Sequence, residues 1–196
     1  AIVETATDYN MHVAAHAHGP EGIKRAVRAG VRSIEHGTLM DQESLLLMKE
    51  YGTYYVPTIS AGEFVSTKAK DVGYYPELIR KKAELIGPKI KKSFKKALEG
   101  NVKIAFGTDS GVSLHGENAK EFVYMVEQGM KPLDAIKSAT INSAKLLGVE
   151  TDLGSLEIGK IADIVAVKGN PLDDISLLQK TFFVMKNGRV YKNITG

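Results

Sequence analysis

The chain of 196 residues contains no cysteine. Disulfides and thiolate metal sites are therefore excluded, and a metal ion would have to be held by His, Asp, Glu or a modified Lys. The same absence points towards an intracellular setting, with the cytoplasm expected; a signal peptide stays open, because the chain starts at Ala1 rather than Met. No apolar run approaches the ~20 residues needed to span a bilayer, so no membrane partner is expected. Charge of one sign is also scarce: 26 Lys and Arg against 23 Asp and Glu give a formal +3. The densest basic stretch, KKAELIGPKIKKSFKK from Lys81 to Lys96, carries no aromatic platform for stacked bases. It reads as the solvated face of a helix, and no nucleic-acid partner is expected. No strand is followed by G-x-G-x-x-G, which weakens a nucleotide-binding doubly wound sheet. No G-x-S-x-G elbow is present either, which leaves a serine hydrolase using Ser110 and His115 little support.

What remains, 43% hydrophobic and 25% charged, suits a soluble chain with a sizeable core. AIVETATDYN already has helical spacing at Ile2, Val3, Ala6 and Tyr9, as if the chain opened inside an element and were a piece of a longer one. Short apolar runs then alternate with helical patterns. MHVAAHA, VRSIEHG, TYYVPTI and VKIAFGTDSG read as strands. Pro20 opens and Gly30 closes the first intervening helix, and Asp41 caps the second. Residues 60–75 read as an irregular insertion, a candidate mobile lid. A long helix is expected over 76–99, kinked or split at Gly87-Pro88, followed by helices over 118–128 and 132–147. Beyond Gly148 the pattern turns to β, with Asn187-Gly188 as a hairpin turn. Strand–helix alternation implies a parallel sheet, here half of a (β/α)8 barrel. The expected division is residues 1–148 as half-barrel and 149–196 as part of a small β-domain.

Catalytic groups of such barrels sit at the carboxyl ends of the strands. His16 and His18 end the first strand here, His36 the second and Asp109 the fourth, while Thr58 and Ser60 follow the third. Two neutral imidazoles and a carboxylate are an ordinary ligand set for Zn²⁺ or a similar divalent ion. A single strand-end histidine would more often be structural; three equivalent strand ends carrying such residues are a stronger signal. His12, at the start of its strand, is expected to be structural.

HAHGPEGIKRAVRAGVRSIEHG, AFGTDSGVSLHGEN, SATINSAKLLG and GSLEIGKIADIVAV together resemble the C-terminal half of a metal-dependent amidohydrolase, nearest to imidazolonepropionase-like and Xaa-Pro dipeptidase (prolidase-like) members. The resemblance covers almost the whole chain. It implies an α/β fold: strands five to eight of a TIM-type (β/α)8 barrel, followed by the last strands of a small β-sandwich. It also implies metal ligands at His16, His36 and Asp109, with Asp109 passing the proton of a metal-activated water to the leaving amine. His18 becomes a pocket-lining residue rather than half of a chelating His-x-His, because His36 arrives one strand–helix unit later. His115 becomes a substrate-binding candidate. One or two divalent ions, Zn²⁺ first, would serve the complete enzyme. The family's first-strand His-x-His and fourth-strand Lys have no counterpart here, so the implied partners are a missing N-terminal barrel half and a small-molecule or dipeptide substrate, and homo-oligomerisation is possible. The implied activity is hydrolysis of an amide C–N bond in a dipeptide or N-acyl amino acid by a full-length parent, the isolated chain being inactive. Cyclic amide hydrolysis and a non-catalytic, partner-binding half-barrel are the alternatives.

Overall fold

A computed structural model describes residues 1–194; the end of the expected second unit at residue 196 lies outside the described residues. Helix α1 (Ile2–Asp8) leads to strand β1 (Ala14–Ala17). Pro20 then occupies the first position of α2 (Pro20–Arg28), where its missing N–H costs nothing. Gly30, at φ +90°, turns the chain into β2 (Ser33–His36). Asp41 caps α3 (Gln42–Tyr51) by accepting from the Ser44 N–H at 2.8 Å and the Ser44 hydroxyl at 2.7 Å. Gly52, at φ +68°, closes that helix and releases the chain into β3 (Tyr54–Val56).

The three strands form a parallel sheet in sequence order β1-β2-β3. The expected fourth strand is shorter than its apolar run suggests. It makes one bridge, Ile104 to Tyr55, through Tyr55 N–H to the Lys103 carbonyl (2.8 Å) and Ala105 N–H to the Tyr55 carbonyl (3.0 Å). Beyond Ala105 its groups turn to a helix break instead. The helix expected over 132–147 is two helices, α8 (Pro132–Ala139) and α9 (Ile141–Leu147), parted at Thr140. The break frees the Ser138 carbonyl to accept from the Phe106 N–H at 3.1 Å, and Asn142 donates to the Ile104 carbonyl at 3.0 Å.

Close approach of this segment to β3 explains Gly107: a Cβ there would run into the Val56 side chain. Gly107→Ala is expected to destabilise the fold by about 1–3 kcal/mol through overpacking, read as a lowered denaturation midpoint at unchanged slope.

The insertion differs more from the sequence reading. Residues 60–75 are not irregular throughout: Ile59–Lys68 is helix α4. Gly87-Pro88 splits the next helix into α5 (Glu77–Ile86) and α6 (Lys89–Glu99), as expected. Helix α7 (Lys120–Glu127) follows the loop after Asp109. The core lies between the sheet and these helices, with Ile23, Val27, Ile34, Met48, Tyr55, Ile59, Phe94 and Met125 fully buried. A separate antiparallel sheet holds β4 (Ile164–Val167), β5 (Thr181–Lys186) and β6 (Arg189–Asn193). Asn187 and Gly188 both have positive φ in the β5–β6 turn, the hairpin geometry their sequence implies. Neither sheet closes on itself, and the parallel one is part of a barrel. Among the described residues, no helix is long and apolar enough to cross a membrane.

Candidate active site

Ala14, His16 and His18 alternate onto the open face of β1, where all three are exposed. Parallel register sets His16 beside Glu35 and Ala17 beside His36. Plain alternation would therefore send the His36 side chain to the other face from His16. Instead the strand ends at His36 in a left-handed conformation, φ +70°, and its ring centroid lies 4.5 Å from that of His16. His18 completes a triangle of imidazoles, 4.7 Å from His16 and 5.1 Å from His36, stacked on the latter. Two threonines orient the rings: His36 Nδ1 meets Thr58 Oγ1 at 2.7 Å, and His18 Nδ1 meets Thr38 Oγ1 at 2.8 Å. Each ring is left with Nε2 for the site. His12 faces away and is held by Arg32, whose guanidinium also donates to the Lys145 carbonyl at 2.6 Å.

Left-handed backbone recurs at Thr58 (φ +50°), just past β3, and at Asp109 (φ +52°), on the loop beyond the Ile104 bridge. Such a conformation costs a non-glycine residue about 1–2 kcal/mol, least for Asp, and persists where the surroundings impose it. Here Tyr55, fully buried, donates its hydroxyl to the His36 carbonyl at 2.8 Å and holds the turn. Asp109 is exposed on the same rim. On either side of it, the hydroxyls of Thr108 and Ser110 bond to each other at 2.9 Å, and Asn118 donates to Thr108. Ser110 is thus tied to a hydroxyl, not to an imidazole. His115 is exposed on the loop and is not one of the cavity-lining residues.

Electrostatics favour the neutral forms of the His36 and His18 rings, the form that binds a cation. Burial first, then the neighbouring His16 and His18, depress the pKa of His36 to about 4 against the opposing pull of Asp109. His18 is lowered by burial, by His16 and by the Lys82 ammonium. Glu35, beside His16 in register, is pushed up by burial and by the charge of Asp109, while a 2.5 Å bond from the Ser33 hydroxyl opposes the shift.

The three imidazoles and Asp109 line a cavity of about 530 Å³. Helices α4 and α5 supply further wall: Ala61, Gly62 and Val65 on α4, and Ile79, Lys82, Ala83 and Ile86 on α5. The sequence reading missed what fixes that wall. Glu121 on α7 is fully buried and accepts from the Ile59 N–H (2.8 Å), the Ser60 N–H (2.7 Å) and the Ser60 hydroxyl (2.7 Å). It supplies the N-terminal cap of α4 from far along the chain, a relation that no local spacing encodes.

His16, His36 and Asp109 provide donor types suited to a divalent ion and stand on one rim. They fit part of a ligand set only: among the described residues, no group of three or more His, Asp or Glu side chains converges closely enough to hold a metal.

The likenesses to known proteins agree with this geometry. Ochratoxinase of Aspergillus niger is 39% identical over 197 residues, an alignment spanning 97% of this chain and 40% of ochratoxinase. A crystal structure of a Xaa-Pro dipeptidase with methionine bound in its active site superposes with a TM-score of 0.96 at 59% identity, covering 98% of this chain and 47% of that one. A prolidase complexed with N-methylphosphonate-L-proline gives 0.90 at 34% identity, with 98% and 48% covered. The chain thus spans somewhat under half the length of these relatives. The profile of the Amidohydrolase family matches residues 1–195, and with strand ends, imidazole face and sheet order all in keeping, the chain belongs to that family.

Proposed function

We propose that this chain supplies half of the active site of a divalent-metal-dependent hydrolase cleaving the amide C–N bond of a dipeptide or an N-acyl amino acid, and that it works together with the remaining strands of the barrel. The observation that carries the reading is the placement of His16 and His36 at the ends of β1 and β2 and of Asp109 on the loop beyond the Ile104 bridge, the last two in left-handed backbone, all lining one cavity. The relatives support the chemistry: one is a Xaa-Pro dipeptidase whose active site holds methionine, another a prolidase.

His16, His36 and Asp109 would hold the ion together with donors from the other half of the barrel. When bound, a divalent cation, Zn²⁺ first, polarises the scissile carbonyl and makes a water acidic. The protein's own residues then do the following. Thr58 fixes the His36 ring through Nδ1, so that Nε2 faces the site. The carboxylate of Asp109 takes the proton of the attacking water and returns it to the nitrogen of the departing amine, so one residue acts first as base and then as acid. His18, held by Thr38, lines the pocket beside the reacting carbonyl. The apolar wall of α4 and α5 excludes water from the pocket. His115 is the proposed contact for outlying parts of the substrate.

Metal analysis tests the ligand roles. In the protein with both barrel halves present, His16→Ala and His36→Ala should each lower bound metal at least about 10-fold at fixed total metal. Unchanged metal content and unchanged hydrolysis of dipeptides would refute the assignment. The alternative of cyclic amide hydrolysis predicts turnover of lactam-type substrates in place of dipeptides, which the same substrate panel separates.

A further inference from the structure

Helix α5 is an unusual wall for a pocket, because its cavity-facing stripe is apolar except at one place. Ile79, Lys82, Ala83 and Ile86 follow the spacing i, i+3, i+4, i+7, one face of a helix, and all four line the cavity. The other cations of this helix are occupied elsewhere. Arg80 pairs with Glu84 at 3.2 Å and Lys81 with Glu77 at 2.7 Å. Lys82 has no ion pair among the described residues. Among the residues lining the cavity it is the only Lys or Arg, and it shares that lining with His16, His18, His36 and Asp109. An ammonium set in an apolar stripe, with no carboxylate of its own, leaves room for a charge brought by a ligand.

We propose that Lys82 anchors a free carboxylate of the substrate, and that the surrounding Ile79, Ala83, Ile86 and Val65 take an apolar side chain beside it. The inference rests on the hydrolase reading above and narrows its substrates to amides whose amine portion is an apolar α-amino acid with a free acid. In that pose the scissile carbonyl lies towards the imidazoles and Asp109, while carboxylate and side chain lie against α5. Two fixed points, one at each end, hold the amide in register with the reacting groups. Lys82 is then a specificity-determining residue: it touches substrate at a distance from the bond that breaks.

The test compares N-acetyl-L-leucine with N-(3-methylbutyl)acetamide, which has the same scissile amide and side chain but no carboxylate. The protein is used with both barrel halves and its metal. The wild type should favour the acid by about 10- to 100-fold in kcat/KM, the range for one charge-assisted hydrogen bond. Lys82→Met should bring that ratio to within about threefold of unity, and Lys82→Arg should restore most of it. A preference that survives in Lys82→Met overturns the proposal while leaving the hydrolase reading intact. If neither compound is cleaved by the wild type, the hydrolase reading fails for this substrate class, and calorimetric binding of N-acetyl-L-leucine still decides the anchor. Affinity lost in Lys82→Met supports it, and equal affinity for the two proteins overturns it. Lys82 is exposed on its helix, so neither variant should disturb folding.

Discussion

Asp109→Asn, made in the protein with both barrel halves, should lower kcat by about 10³-fold while much of the bound metal stays. The magnitude follows from the double duty proposed for this carboxylate. An amide of the same shape cannot accept the proton of the attacking water and has none to give to the departing nitrogen, so both transfers are lost together. Because neither transfer contributes to ground-state binding, kcat and kcat/KM should fall in parallel. Asn is the informative replacement. Asp109 sits at φ +52°, and Asn is among the few residues that tolerate that backbone, whereas Ala would add strain to the chemical loss. Steady-state kinetics beside metal analysis of the same preparation reads both quantities. Near-normal kcat would sink the proton-transfer role, and loss of metal equal to that in His16→Ala would reduce Asp109 to a ligand alone.

Glu121→Ala should be among the most destabilising single changes in the chain. It would leave the Ile59 and Ser60 N–H groups without partners at the buried start of α4, and would open a hole where a fully buried side chain stood. Together these cost about 3–5 kcal/mol, a fall in Tm of about 10 °C for a chain of this size. The carboxylate also gives stability a pH dependence. Burial raises its pKa to about 7, against the opposing bonds from Ser60 and Ile59. The native state therefore holds this proton more tightly than the unfolded chain, whose glutamate titrates near its ordinary value. The associated stability is full below the ordinary carboxylate pKa and is lost as pH rises through about 7. Glu121→Gln cannot titrate, so its unfolding free energy should lack that component of the slope between about pH 4.5 and 7. Denaturant melts at several pH values compare the two proteins; identical slopes would contradict the burial argument.

Asp109 and Glu121 differ in how far the sequence shows them. The positions of Asp109, His16 and His36 in the fold are legible because strand–loop junctions are local objects: a short apolar run followed by a polar residue and a helix start announces them. Asp41 was legible as a cap because its acceptor and donors lie within one turn. Helix α4 was not, since its N-terminus carries no capping side chain of its own and borrows Glu121 instead. Its sequence, ISAGEFVSTK, includes Gly62, Ser60, Ser66 and Thr67, which propensity alone reads as loop. The break at Thr140 was hidden for a similar reason, since the Ser138 carbonyl it frees is taken by Phe106 from a distant segment. Nor did alternation along β2 anticipate the His36 ring beside His16, because a left-handed residue ends the alternation. Lys82 could be seen in the sequence only as one more member of a basic run. Its separation from Arg80 and Lys81 depends on which helix face meets the cavity.

The order of the strands also says something about how the site comes into being. Each of the first three strands pairs with one about twenty residues away, so these contacts form within a short stretch of newly made chain. The bridge from Tyr55 to Ile104 instead spans the whole helical insertion, a loop more than twice as long that costs about 0.6 kcal/mol of closure entropy per doubling. Synthesis delivers the imidazole face first and the acid last, with α4, α5 and α6 emerging between them. A ribosome-bound chain ending near Glu99 would thus already carry His16 and His36 on paired strands but no Asp109. The two histidine-bearing strands and the acid would thus take their places at different moments of the protein's birth.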